Sequence, residues 1–71
     1  MHEYIKLSAR EREVIALVVQ AKSRKIIASD LNISIHTVDT HLRHIHLKTN
    51  THSLSELLIW AQHNCSEKSR I

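Results

Sequence analysis

Apolar residues return at helical spacing in four separate stretches of this chain, with polar residues filling the positions between. Val14, Leu17, Val18 and Ala21 stand at i, i+3, i+4 and i+7, which predicts one buried helical stripe with Arg10, Arg12 and Glu13 left in water. Ser8-Ala9-Arg10-Glu11 has the spacing of a capping box, so this first helix should start just after Ser8 and run to about Gln20. Ile27 and Leu31 mark a short second helix over residues 24 to 31, opened by Ser23. Val38, Leu42 and Ile45 mark a third over about 35 to 48, opened by Ser34 and ended at Asn50. Leu54, Leu57, Leu58 and Ala61 repeat the stripe behind a second capping-box signature, Ser53-Leu54-Ser55-Glu56, and predict a fourth helix over about 54 to 62. The expected fold is therefore all-α, a compact four-helix domain over residues 7–62 with aperiodic tails at 1–6 and 63–71.

The second and third helices are separated only by the break at Leu31-Asn32-Ile33-Ser34. Ala28 is small enough for two helices to approach closely, Asn32 tolerates the left-handed conformation of a sharp corner, and Ser34 supplies a cap. Arg24 to Arg43 thus reads as a helix-turn-helix, the unit that holds one short helix rigidly across another so that it fits a DNA major groove.

Length and composition narrow the alternatives. Seventy-one residues, 42% of them hydrophobic, suit one small domain with little stability to spare. The longest apolar run, Val14 to Val19, falls far short of the ~20 residues of a membrane span. Met1-His2-Glu3-Tyr4 has no secretory pattern, and a single Cys65 forms no internal disulfide, so a soluble protein of the reducing cytoplasm is expected. Glycine and proline are both absent, which argues against phosphate-cradling glycine loops and leaves the turns to Asn, Ser and Asp. With one Trp, one Tyr and no Phe, the chain lacks the stacking platforms of single-strand binders, and duplex recognition fits better.

The net charge of +3 gains meaning from its location. Between residues 22 and 48 Lys22, Arg24, Lys25, Arg43 and Lys48 outnumber Asp30 and Asp39, whereas basic and acidic residues balance elsewhere. The excess coincides with the helix-turn-helix, where attraction to phosphates is wanted.

From Leu7 to Ala61 the chain resembles the DNA-binding domain of LuxR-type (GerE-type) bacterial transcription regulators. LSAREREVIALV is similar to the opening helix of that family, SRKIIASDLNIS to its second helix and turn, HTVDTHLRHI to its recognition helix, and SLSELLIWA to its final helix. The resemblance implies sequence-specific binding of double-stranded DNA by a transcription regulator, without cofactor, small-molecule ligand or catalysis in this segment. It also implies a homodimer on DNA formed through the fourth helix, RNA polymerase as a further partner, and a chain cut from the C-terminal part of a longer, signal-receiving regulator. Departures from the family are Ala21 where Gly is common, Thr49-Asn50-Thr51 where Leu-Gly-Val is common, and Ile26, Asp39 and Leu54 where Glu, Lys and Arg are frequent.

With Val38, Leu42 and Ile45 facing inward, Ile35, His36, Asp39, Thr40, Arg43 and either His46 or Leu47 should point outward. Asp39, Thr40 and Arg43 are the expected base readers, and they match base-facing positions of the resembled family. Arg43 offers a fork for guanine, Thr40 a methyl and a hydroxyl, and Asp39 an acceptor for a cytosine amino group, with a charge unfavourable near phosphates unless it pairs with Arg43 one turn later. Phosphate contacts are expected from Ser23, Arg24 and Lys25 at the start of the second helix, from Ser34, His36 and Thr37 at the start of the third, and from His44 and Lys48 further along it. Leu54, Leu58, Ile59 and Trp60 are the candidate dimerisation residues, because the fourth helix carries more apolar surface than one small domain needs.

Three other readings compete. Seven histidines, with His41 and His44 near one turn apart, suggest a metal, yet Cys or carboxylate ligands at tight spacing are missing, and no metal site is expected. A Cys65–His63 nucleophile pair lacks an orienting third group and a pocket, so no enzyme is expected. The more serious alternative is a protein-interaction or dimerisation module whose DNA affinity has been lost, a reading to which Asp39 lends weight.

Overall fold

The structure, a computed structural model, describes residues 7–64; the tail expected at 1–6 and residues 65–71 of the tail expected at 63–71, with Cys65, lie outside the described residues. Four helices follow in order: α1 (Ala9–Val19), α2 (Arg24–Leu31), α3 (Ile35–Thr49) and α4 (Leu54–Asn64). The last runs two residues beyond its expected end, so residues 63 and 64 belong to the helix and not to a tail.

Every helix begins behind a serine whose hydroxyl satisfies a backbone N–H that the first turn would leave without a partner. Ser8 Oγ accepts from Glu11 N at 3.0 Å, Ser23 Oγ from Ile26 N at 3.2 Å, Ser34 Oγ from Thr37 N at 3.0 Å and Ser53 Oγ from Glu56 N at 3.2 Å. At α1 the capping box is complete, with Ser8 N donating back to Glu11 Oε1 at 2.9 Å. At α4 it is not: Glu56 Oε1 accepts instead from His52 N at 2.6 Å, one residue before the cap.

The first three helices end in the same way. Ala21, Asn32 and Asn50 take left-handed backbone angles, with φ of 66°, 59° and 57°. The next residue then donates back across the corner: Lys22 N to Leu17 O, Ile33 N to Ala28 O and Thr51 N to His46 O, at 3.2, 2.9 and 3.0 Å. This arrangement commonly uses glycine, and asparagine is its usual substitute. Ala21 is neither. It is exposed and lies past the end of α1, not in the expected buried stripe, because the helix stops at Val19.

Ten buried apolar residues from all four helices form one core, among them Val14, Ile27, Val38, Ile45 and Leu57 with almost no exposure. Ile15 joins it in place of Ala21, and Ala28 of α2 is buried in it. On α4 the buried residues are Leu57 and Ala61, while Leu54 is exposed. The effect is to present α3 with its Val38, Leu42, Ile45 side clamped and its opposite side in solvent.

Candidate nucleic-acid interface

At 100° per residue, His36, Thr40, Arg43 and Leu47 fall on the side of α3 opposite its buried stripe. Arg43 and His36 are exposed, and Leu47, at 75% exposure, is the most exposed large apolar residue among those described. His46 turns aside: its Nδ1 lies 2.7 Å from Thr51 Oγ1, and the ring is half-buried. Of the two candidates at the far end of the outer row, Leu47 is therefore the one that points out.

The base-reader candidates differ in what already occupies them. Arg43 has no ion-pair or hydrogen-bond partner among the described residues, so all its donors are available. Thr40 is half-buried and its hydroxyl donates to His36 O at 3.2 Å, which leaves its oxygen lone pairs and its methyl for a neighbour. Asp39 is paired, but with Arg24 of α2 at 2.7 Å and not with Arg43 as its spacing suggested. α2 packs on α3, and that packing brings Arg24 to the carboxylate; no local spacing rule reports such a contact.

The phosphate candidates gather at two helix starts. Ser23, Arg24 and Lys25 open α2, all exposed; Ser34, His36 and Thr37 open α3, where Ser34 Oγ and Thr37 Oγ1 lie 2.9 Å apart. Both starts carry backbone N–H groups that favour anions. His44 is exposed on α3 but away from Arg43's side of the helix. Lys48 is held elsewhere: its Nζ donates to Glu11 Oε1 at 2.8 Å, a carboxylate only 7% exposed. That bond, chiefly, holds the Glu11 carboxyl below its ordinary range, with the hydrogen bonds from Ser8 acting in the same direction and burial acting against them.

Pairing redraws the charge map. Lys22 binds Asp30 at 2.8 Å, Arg24 binds Asp39 and Lys48 binds Glu11, so of the five cations between residues 22 and 48, Lys25 and Arg43 keep their charge uncompensated among the described residues. The counting of charges along the sequence could not make that distinction.

The four dimerisation candidates do not form one stripe. Leu54 and Leu58 share a flank of α4 and line an open groove of about 380 Å³ with Val18, Ile27 and Leu42. Trp60 and Leu58 are half-buried and pack against the core. Ile59, 57% exposed, points away from Leu57 and the core. Among the described residues no three His, Cys, Asp or Glu side chains converge as a metal site would require.

Residues 6–61, all four helices but for the end of the last, match the model of the GerE type, bacterial regulatory proteins of the luxR family. The chain belongs to the luxR family of bacterial regulatory proteins. The chain is similar to the monoamine regulon transcriptional regulator of Klebsiella aerogenes, 46% identical over 52 residues, which are 73% of this chain and 23% of that protein. The probable transcriptional regulator ycf29 of Cyanophora paradoxa is 38% identical over 60 residues, 84% of this chain and 29% of the relative. The oxygen regulatory protein NreC of Staphylococcus epidermidis is 40% identical over 55 residues, 78% and 25% respectively. This chain thus spans under a third of the length of the curated relatives it matches. Family and fold support a DNA-binding role in transcription regulation.

Proposed function

We propose that this chain is a sequence-specific double-stranded DNA-binding domain of a transcription regulator, which seats α3 in the major groove and works without bond-making chemistry. The observation that carries this reading is the outer side of α3: Arg43 stands uncompensated one turn after Thr40, in a helix-turn-helix whose two helices both begin at serine caps that favour anions. Asp39, Thr40 and Arg43 read bases, while Ser23, Arg24, Lys25, Ser34, His36 and Thr37 contact the backbone. Lys48 contributes only if it leaves Glu11, and His44 reaches a phosphate only on the strand next to its own side of α3.

In this reading two copies bind paired half-sites through α4, with the Leu54–Leu58 flank as the contact, RNA polymerase is the protein partner and the setting is the cytoplasm. No described helix is long and apolar enough to cross a membrane. Binding to random duplex DNA across a salt series tests the proposal. Each phosphate contact adds about −0.9 to the slope of log K against log salt. A slope of zero, with no binding at low salt, overturns it in favour of a protein-interaction module.

A further inference from the structure

We propose that Arg24 is a positioning residue for Asp39, and that the two together select a cytosine. This rests on the DNA-binding reading above and gives it a base. The pair joins one side chain from each helix of the helix-turn-helix: Arg24 Nη1 from the first turn of α2 and Asp39 Oδ1 from α3, 2.7 Å apart. Asp39 neighbours Thr40 and precedes Arg43 by about one turn, so its carboxylate lies along the edge of the outer row.

A carboxylate at that place meets an obstacle, since the duplex it approaches is lined with phosphates. Arg24 removes it in two ways. Its charge offsets that of Asp39, and its hydrogen bond occupies one oxygen and restrains the group, leaving Oδ2 as the acceptor. In the major groove only cytosine N4 and adenine N6 donate hydrogen bonds. Adenine places its N7 acceptor beside N6, which repels a carboxylate, whereas cytosine has no acceptor of its own beside N4 on that edge. The partly exposed guanidinium, 57% accessible, keeps further donors for a phosphate next to that cytosine. Arg43, relieved of Asp39, keeps its whole fork for guanine.

The test starts with duplexes selected by the unsubstituted full chain from a random-sequence pool, with a scrambled duplex as reference. One position of the selected set is expected to be cytosine, and its replacement by thymine should weaken binding roughly tenfold. Asp39→Ala should erase that preference, and Asp39→Asn should shift it to adenine, the base that suits an amide. Arg24→Ala should shrink the preference while Asp39 is present. In the Asp39→Ala background it should weaken matched and scrambled duplexes alike, and Arg24→Lys should restore part of the preference. Both side chains are partly exposed, so thermal unfolding is expected to change little and serves as the control on folding. An equal loss from Arg24→Ala with and without Asp39 makes Arg24 an independent phosphate contact and overturns the proposal. So does a cytosine preference that survives Asp39→Ala. If the unsubstituted chain binds no duplex even at low salt, the DNA-binding reading itself fails, an outcome distinct from these two.

Discussion

Glu11 and Lys48, 37 positions apart, tie the first turn of α1 to the last turn of α3 through a bond of 2.8 Å to a buried carboxylate oxygen. The same oxygen accepts from Ser8 N, so one atom both completes a helix cap and fastens α3 to α1. Glu11→Ala is expected to cost about 1–3 kcal/mol through the lost cap and the lost bond to a charged donor. A urea titration read by circular dichroism checks this: the midpoint should fall with little change in slope.

The same carboxyl makes stability depend on acid. Its folded pKa lies below the unfolded one, chiefly because Lys48 bonds the ionised form. The stabilisation is therefore complete above the unfolded value, about 4.3 for a glutamate, and is lost as pH falls through the lower folded value. Glu11→Gln should flatten that part of the acid unfolding curve, as measured by midpoints between neutral pH and about pH 3.

Arg43→Ala should weaken binding to a selected duplex far more than to a scrambled one, by about 1–3 kcal/mol in the difference. Lys25→Ala should weaken both, because a phosphate contact carries no sequence information. Gel-shift titrations on the two duplexes separate these outcomes, and equal losses for Arg43→Ala would remove it from base reading.

Ala21 holds φ at 66° with a Cβ that the left-handed region disfavours by roughly 1–2 kcal/mol. Ala21→Gly should relieve that cost and give back part of it as unfolded-chain entropy, for a net gain of about 0.5–1 kcal/mol. The melting temperature is the readout, and a lower one would mean that the corner is not strained.

Hydroxyl protons order the network beneath His46. Thr49 Oγ1 donates to Ile45 O at 2.9 Å, so the 2.9 Å bond between the two threonines runs from Thr51 to Thr49. Thr51 Oγ1 then accepts, and His46 Nδ1 must carry the proton in their 2.7 Å bond. Nitrogen chemical shifts of the imidazole should report the Nδ1–H form. Thr51→Val should abolish that preference and cost about 1 kcal/mol.

Which parts of this were legible in the sequence follows from range. Serine caps act over three residues, and all four helix starts stand where Ser8, Ser23, Ser34 and Ser53 put them. Asn32 and Asn50 were readable as corners for the same local reason, and the clamped stripe of α3 follows from periodicity. The partners of charges were not. Asp39 looked destined for Arg43 because both are on one helix, and the helix crossing supplied Arg24 instead. Glu11 was legible as a cap but not as the anchor of Lys48, which lies far off in sequence. The surplus apolar surface of α4 was legible, with Leu54 and Ile59 left exposed, but spacing alone did not tell buried Leu57 from Leu54 within the stripe.

The corners at Ala21, Asn32 and Asn50 carry side chains where a more pliant chain would carry none. Joints of this kind resist bending, so α3 would meet a duplex, in the proposed function, already aimed. Under that reading the encounter would be a rigid-body fit, with electrostatic steering and diffusion setting its rate in place of a folding step on the DNA.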